Sequence, residues 1–468
     1  MGRLAKLASL LVPPRRTGRL AGETWAPVAT ASRHSITSLL SLVRPMDIIL
    51  VTRFYPPDTG GGGIAAYANY LAVGLAKRGN RVRVVSQMAP QSIYKTTCEG
   101  IEVRRIATLS LPHRCHRIPL VGRQTRFVND LAYAFAVRRE LFRMSREGGP
   151  DLVEYAEIDA ESLFHPFRLC PAVVKLHTPH FVLDQFYSRK ERPYSTRLIK
   201  WAERKAIVGA TALSSPSHDL AEQVSAEYGL DAERIAPMPN GIDTDFFSPS
   251  EGEPAESQTV LFVGRLEPRK GGLVLANAIP RIAQACPRAR FVFVGADRSN
   301  KSGTSHREEL LARFEKEGIR QVVFEGHAAP EVFRDHYRRA AVFVMPSLFE
   351  NCPYTLLEAM ACGRPIVVSR GYGMREMIVD GTSGLFFRQG DSEDLAEKVI
   401  RLLGDCQLRR RLGDGARNAV LEQYSLEVAA QAAERLYHET IAQWRLRQFR
   451  SQAPDSMKKR SIGIDGDL

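Results

Sequence analysis

Short, uniformly apolar runs recur along the chain, each closed by a glycine- or proline-containing loop and followed by a stretch with apolar residues on one helical face. The first is 47–52 (DIILVT). Others follow at 82–85, 101–106, 151–155, 171–176 and 212–216, and in the second half at 259–263, 291–295, 322–326 and 341–346. Continuous apolar runs bounded by turn residues predict strands buried on both faces. Their alternation with helical stretches predicts an α/β protein built on parallel sheets. Helices are predicted from Ile64 (with Tyr67, Leu71 and Leu75 on its apolar face), over 123–147 (Phe127, Leu131, Ala134, Phe135 and Phe142), from near Pro353 (Leu356, Leu357 and Met360) and over 426–448. Residues 248–258 (SPSEGEPAESQ) have the composition of a linker and divide the chain into units 46–247 and 259–425. The tail 449–468 reads as disordered.

Composition narrows the class. The chain has 468 residues, 44% hydrophobic and 25% charged, enough for two or more domains at roughly 100–200 residues each. The net charge of +13 favours anionic partners without choosing among them. The basic residues are scattered, with no aromatic-interleaved patch, which argues against nucleic acid. Seven cysteines without a Cys-x-x-Cys pair suggest neither a disulfide framework nor a zinc site. A reducing, cytoplasmic setting is the simpler reading. No apolar stretch reaches the roughly 18 residues of a membrane span. The 123–147 helix carries Arg123, Arg126, Arg138, Arg139, Arg143 and Arg146 beside its apolar face. That pattern fits either an ordinary solvated surface helix or peripheral contact with an anionic inner membrane face. Residues 1–45 are basic, with Glu23 the single acid, and read either as a transit peptide or as sequence ahead of a true start at Met46.

Candidate chemistry gathers where loops follow apolar runs. Gly60 to Gly63 precede the Ile64 helix, an arrangement that suits an anion because glycine lets backbone amides approach and a helix start carries free N–H groups. A flexible turn is the plainer alternative. His177-Thr178-Pro179-His180 stands at the carboxyl end of a predicted strand, where doubly wound sheets bind ligands. Pro239-Asn240-Gly241 is a turn. Gly264 to Gly272 brings Arg265, Arg269 and Lys270 to another strand end, where cations can neutralise a diphosphate. Glu350 precedes the helix near Pro353 and Glu358 lies on it. Ionised carboxylates only accept hydrogen bonds, which suits sugar hydroxyls.

Taken together and in order, these motifs resemble glycosyltransferase family 4, the retaining nucleotide-sugar glycosyltransferases of the GT-B fold, over about residues 47–425. The resemblance rests on Gly62-Gly63-Ile64 with Tyr67, Asn240-Gly241-Ile242-Asp243, Gly264-Arg265-Leu266 with Lys270-Gly271, and Pro346-Ser347 with Glu350 and Glu358, followed by Ala361-Cys362-Gly363-Arg364-Pro365. It implies two Rossmann-like doubly wound domains facing across a cleft, the first on the acceptor side. It implies a hexose moved from a nucleotide diphosphate sugar to an acceptor glycan, lipid-linked sugar or small molecule. Arg265 and Lys270 would hold the diphosphate, Gly62 and Gly63 would offer it amides, and Glu358 would accept from the ribose. Glu350, with the backbone of Asn351, Cys352 and Pro353, would hold the transferred sugar. His177 would sit beside the reacting sugar, with His180 and Asn240 as further candidates. No metal or cofactor beyond the co-substrate is implied; Asp243-Thr244-Asp245 reads as a structural turn. Asn351 stands where the family has glycine, and Gly371-Tyr372-Gly373 replaces a glycine pair, which bears on donor selectivity. A nucleotide-sugar epimerase or a non-catalytic binding protein are the alternatives.

Overall fold

The computed structural model describes residues 44–57, 62–89, 93–108, 125–185, 196–250, 258–297, 305–326 and 329–452. Residues 1–43 of the leader, Gly60 and Gly61, Arg123, most of the linker and the tail beyond 452 lie outside them.

The first lobe is a sheet of β1 (Asp47–Val51), β2 (Arg81–Gln87), β3 (Lys95–Cys98), β4 (Ile101–Ile106), β5 (Leu152–Ala156), β6 (Ala172–Lys175), β7 (Ala212–Ser215) and β8 (Ile235–Pro237), in the order β3-β4-β2-β1-β5-β6-β7-β8. All pairs are parallel except β3 with β4. Helices α1 (Gly63–Lys77), α2 (Thr125–Arg146), α3 (Thr196–Gly209) and α4 (His218–Tyr228) connect the strands. The second lobe is a wholly parallel sheet of β9 (Thr259–Val263), β10 (Arg290–Val294), β11 (Val322–Glu325), β12 (Val342–Met345), β13 (Ile366–Ser369) and β14 (Leu385–Phe387), ordered β11-β10-β9-β12-β13-β14. Its helices include α5 (Gly272–Ala285), α6 (His306–Lys316), α7 (Pro330–Arg339), α8 (Tyr354–Ala361), α9 (Ser392–Gly404) and α10 (Cys406–Gln423). Strand order reverses between β1 and β5 in one sheet and between β9 and β12 in the other. Each reversal opens a crevice at the carboxyl ends of the strands.

The last helix, α11 (Leu426–Gln452), runs four residues further than the 426–448 pattern, so Phe449 to Gln452 belong to it and not to a disordered tail. It leaves the second lobe and lies on α1 of the first. Gly74 permits this contact, since a Cβ there would stand 3.1 Å from Ala430 Cβ. Farther along, the Tyr437 hydroxyl donates to Glu154 (2.6 Å), which also accepts from Tyr67 (2.8 Å).

Helix α2 buries a different face from the one its phenylalanines suggest. Tyr133, Val137, Leu141 and Met144 face the core, while Phe135 and Phe142 are 60% and 39% exposed. The buried stripe also carries Asp130 and Glu140. They are tolerated there because Arg53, just after β1, and Arg104 of β4 reach them at 2.7 and 3.2 Å.

Candidate active site

Two loops meet at the second sheet's switch point. After β9 the chain forms a helical turn, Pro268–Lys270, ending at Gly271. Gly271 has φ +69, and a Cβ on it would lie 1.9 Å from the Pro346 carbonyl oxygen. Only glycine therefore lets this loop press on the exit of β12. Leu348 N donates to Arg269 O (2.8 Å), stitching the loops together. Across the seam, Lys270 Nζ lies 2.5 Å from Glu350 Oε1, and Arg269 Nη1 lies 3.3 Å from the same oxygen. Burial works to raise the Glu350 carboxyl, but Lys270 and Arg269 outweigh it and hold it below the usual carboxylate range. Arg269, which the motif reading did not single out, also donates to Phe349 O and Glu267. Arg265 turns toward Glu267 with its side chain 45% exposed. Lys270 and Glu350 are thus brought together, and Arg265 stays at the rim.

Pro353 is the N-cap of α8, which starts without a side-chain cap. One turn in, Glu358 accepts from the Tyr337 hydroxyl (2.7 Å). Burial raises its carboxyl to about 7, against the opposing Tyr337 bond. Tyr354, first in the helix, packs on Tyr70 of α1 with ring centroids 5.5 Å apart. Gly63 faces the same ring: a Cβ there would lie 3.8 Å from it. Gly62 caps α1 at φ 112. The helix starts of the two lobes therefore face each other.

From the first lobe, His177 follows β6. Its ring meets Tyr67 edge-on at 4.9 Å, and its Nε2 is buried with no partner. Burial, and then the neighbouring Lys175, press its pKa down to about 3, so the imidazole stays neutral. The Glu157 carboxylate fixes this turn by accepting from His177 N (2.7 Å) and Thr178 N (2.6 Å). Asn351 crosses the cleft to the His177 carbonyl and to Thr178 Oγ1 (3.3 Å). Asn240 Nδ2 donates to Cys352 O (2.9 Å). Hence His177, Asn240 and Gly63 lie with Asn351, Cys352 and Tyr354. His180 lies apart from them: its ring Nδ1 is 2.5 Å from Glu203 and its Nε2 2.9 Å from Arg126. Asp243 closes a turn by accepting from Asp245 N and Phe246 N. A small open pocket lined by Gly264, Phe293, Gly295, Asp297, Arg307 and Phe324 adjoins the first loop.

Residues 61–246 match the family model for Glycosyltransferase Family 4, and residues 257–405 match that for Glycosyl transferases group 1. The chain is similar to the D-inositol 3-phosphate glycosyltransferase of Streptomyces bingchenggensis, 28% identical over 288 residues. That match covers 59% of this chain and 63% of the relative's length. Among solved structures, the sucrose-phosphate synthase of Thermosynechococcus elongatus aligns with a TM-score of 0.68 at 22% identity, covering 84% of this chain and 99% of that one. HepE of Anabaena, in complex with UDP and glucose, aligns at 0.60 and 18% identity with the same coverage. The two solved structures share the fold, the two family models take in both lobes, and the chain belongs to the glycosyltransferases of family 4, with the GT-B fold.

Proposed function

We infer that the chain moves a hexose from a nucleoside diphosphate sugar, a UDP-sugar in the first instance, to an acceptor hydroxyl with retention at the anomeric carbon. The observation that carries this reading is the Glu350 carboxylate held between Lys270 and Arg269 beside the start of α8. Two cations at this strand end are suited to the diphosphate, whose negative charge grows as its bond to the sugar breaks. On donor binding they would turn from Glu350 to the phosphates, and Glu350 would accept from sugar hydroxyls. The pocket bordered by Phe293 and Phe324 suits the base, and Glu358 the ribose. In the transfer, the bond from the anomeric carbon to the phosphate oxygen breaks and the acceptor oxygen bonds on the same face. The acceptor's proton passes to the departing phosphate, so no side chain acts as base. Neutral His177, beside Tyr67 and the Asn351 contact, is proposed to touch the sugar without adding charge. Lys270 and Arg269 supply the charge that a divalent cation supplies elsewhere, so transfer is proposed to need no metal. The complex of HepE with UDP and glucose supports UDP as the first donor to test. Cys170, Cys286, Cys352, Cys362 and Cys406 are free thiols, which fits a reducing, cytoplasmic setting. Both matching family models are of glycosyltransferases, which favours transfer over the epimerase and binding-protein alternatives.

The test is nucleotide release from UDP-, GDP- and ADP-sugars by the full chain, followed by NMR of the product's anomeric configuration in the presence of EDTA. Release from one donor class with the configuration kept is expected. An inverted product, or loss of activity restored by Mg²⁺ or Mn²⁺, overturns the mechanism.

A further inference from the structure

Strands β5 and β6 each bury a charge that the donor reading does not use. Glu154 of β5 is 3% exposed and Lys175 of β6 is wholly buried. Glu154 is in register with Val173, so Glu154 and Lys175 lie on the same face of the sheet. A charge persists in a core only where its hydrogen-bonding capacity is met. Lys175 Nζ donates to Met238 O. Glu154 takes its partners from two helices: Oε1 accepts from the Tyr67 hydroxyl of α1 (2.8 Å), and Oε2 from the Tyr437 hydroxyl of α11 (2.6 Å). Burial raises the Glu154 carboxyl, while the Tyr437 and Tyr67 hydroxyls and the Lys175 charge work against that rise.

Tyr67 carries this arrangement to the reacting region. Its hydroxyl is tied to Glu154, Lys175 Nζ lies 5.1 Å from its ring centroid, and the His177 ring meets it edge-on at 4.9 Å. The backbone and the ring of His177 have separate supports. Its N–H donates to Glu157 (2.7 Å), which sets where the turn runs. Its Nε2 is buried with no hydrogen-bond partner, so that nitrogen does not orient the ring and packing on Tyr67 does.

Tyr437 is the far end of this chain of contacts. The seating of α11 on α1 does not depend on its hydroxyl, because Glu434, three residues earlier, accepts from Arg78 Nε (2.8 Å) and Asn80 Nδ2 (2.5 Å). Without the Tyr437 hydroxyl, Glu154 Oε2 loses its donor in the core. The carboxylate must then take up a proton or turn, and either change alters the bond that holds Tyr67.

We propose that Tyr437 is a positioning residue for transfer: through Glu154 and Tyr67 it fixes the His177 ring, so the helix that crosses from the second lobe completes the geometry of the reacting region in the first. The proposal rests on the reading above that His177 touches the sugar. Tyr437→Phe keeps the ring and removes the hydroxyl. With UDP-glucose and the full chain, kcat is expected to fall about tenfold, because small displacements of an orienting group cost turnover steeply. The donor KM should stay within about twofold of wild type, since no donor contact is removed. Tyr67→Phe takes the other hydroxyl from Glu154 and should show the same split, with the double variant losing less than the product of the two. In a His177→Ala background, Tyr437→Phe should have no further effect on kcat. Carbon–proton NMR spectra of the histidine rings give a readout that needs no turnover, the His177 signal being assigned by its loss in His177→Ala. Tyr437→Phe should shift that signal and leave the His336 signal, from α7 of the second lobe, in place. Unchanged kcat in folded Tyr437→Phe overturns the proposal. So does a loss that persists in full in the His177→Ala background, or a His177 signal that stays where it was. Should Tyr437→Phe not fold, Tyr67→Phe answers the same three questions. If His177→Ala turns over like wild type, the reading of His177 fails first and the positioning role falls with it. If the wild type does not turn over UDP-glucose, the transferase reading with this donor fails, and the ring signal alone decides whether Tyr437 positions His177.

Discussion

Glu350 and Glu358 belong to one motif but stand in opposite electrostatic states. Lys270 and Arg269 keep Glu350 ionised well into the acid range, whereas burial leaves Glu358 half protonated near pH 7. If Glu358 accepts from the ribose, it must be charged to do so well. The donor KM is then expected to fall as the pH rises from about 6 to 8, and Glu358→Gln to flatten that dependence. The same shift appears in stability. A carboxyl whose pKa rises on folding from 4.5 to about 7 destabilises the folded state increasingly as the pH rises through that interval. Glu358→Gln should therefore gain in Tm relative to wild type between pH 5 and pH 8, and an unchanged difference would mean the carboxyl titrates normally. Glu350→Gln should instead lower kcat, because its bonds to the sugar tighten as the transition state forms. Lys270→Ala and Arg269→Ala should each reduce kcat/KM by roughly 10- to 100-fold, the loss of about 1.5–3 kcal/mol from a charge-assisted contact. Arg265→Ala should cost less, since that side chain lies at the rim; equal losses for all three would reassign it. Glu350, Glu358 and Lys270 were legible because motif spacing marks them. Arg269 was legible as one of three cations in the loop but not as a partner of Glu350, because the direction of a side chain on a three-residue turn depends on how Gly271 seats that turn against Pro346.

At the level of elements, glycine decides whether the Lys270 loop can reach its place. Gly271→Ala combines a left-handed φ with a collision against Pro346 O. Gly381 has a similar φ of +74 and nothing within 4 Å of an added Cβ, so Gly381→Ala isolates the conformational cost of about 1–2 kcal/mol. Denaturant unfolding should show the larger loss for Gly271→Ala, together with collapse of donor turnover, and Gly381→Ala should keep its turnover. Equal destabilisation would mean that the loop moves aside freely. Ten of the fourteen described strands were legible because apolar runs enclosed by helices have few other fates; β3, β8, β13 and β14, of three or four residues each, were not, being too short to stand out as runs. Helix α2 was legible as a helix but not in its facing. Its core stripe includes Asp130 and Glu140, and nothing within the helix sequence announces that Arg53 and Arg104 will neutralise them.

Across the whole molecule, the two lobes are latched on the far side of the donor loop. The Glu376 carboxylate accepts from His218 N and Asp219 N, both at 2.8 Å, at the start of α4, and Arg375 pairs with Asp219. An anion at a helix start is favoured by the free N–H groups and the dipole there. The latch bears on the site because Gly373, three residues earlier, lies so close to Asn351 that a Cβ would come within 1.9 Å of its carbonyl oxygen. Asn351 in turn reaches Thr178 across the cleft. No local pattern in the sequence could show this, since residues 376 and 218 meet only after both lobes have folded. If donor binds the closed arrangement, weakening the latch lowers the fraction of molecules ready to bind and raises the apparent KM by that fraction. Glu376→Ala removes about 1–2 kcal/mol of hydrogen bonding, so the donor KM should rise, by at most roughly 5- to 30-fold. At saturating donor, kcat should change little, because binding energy then restores closure. Small-angle scattering of the free variant should show a larger radius of gyration than wild type, and UDP should bring the two together. A Glu376→Ala protein with wild-type KM and scattering would show that α11 and the Asn351 and Asn240 contacts hold the lobes closed without it.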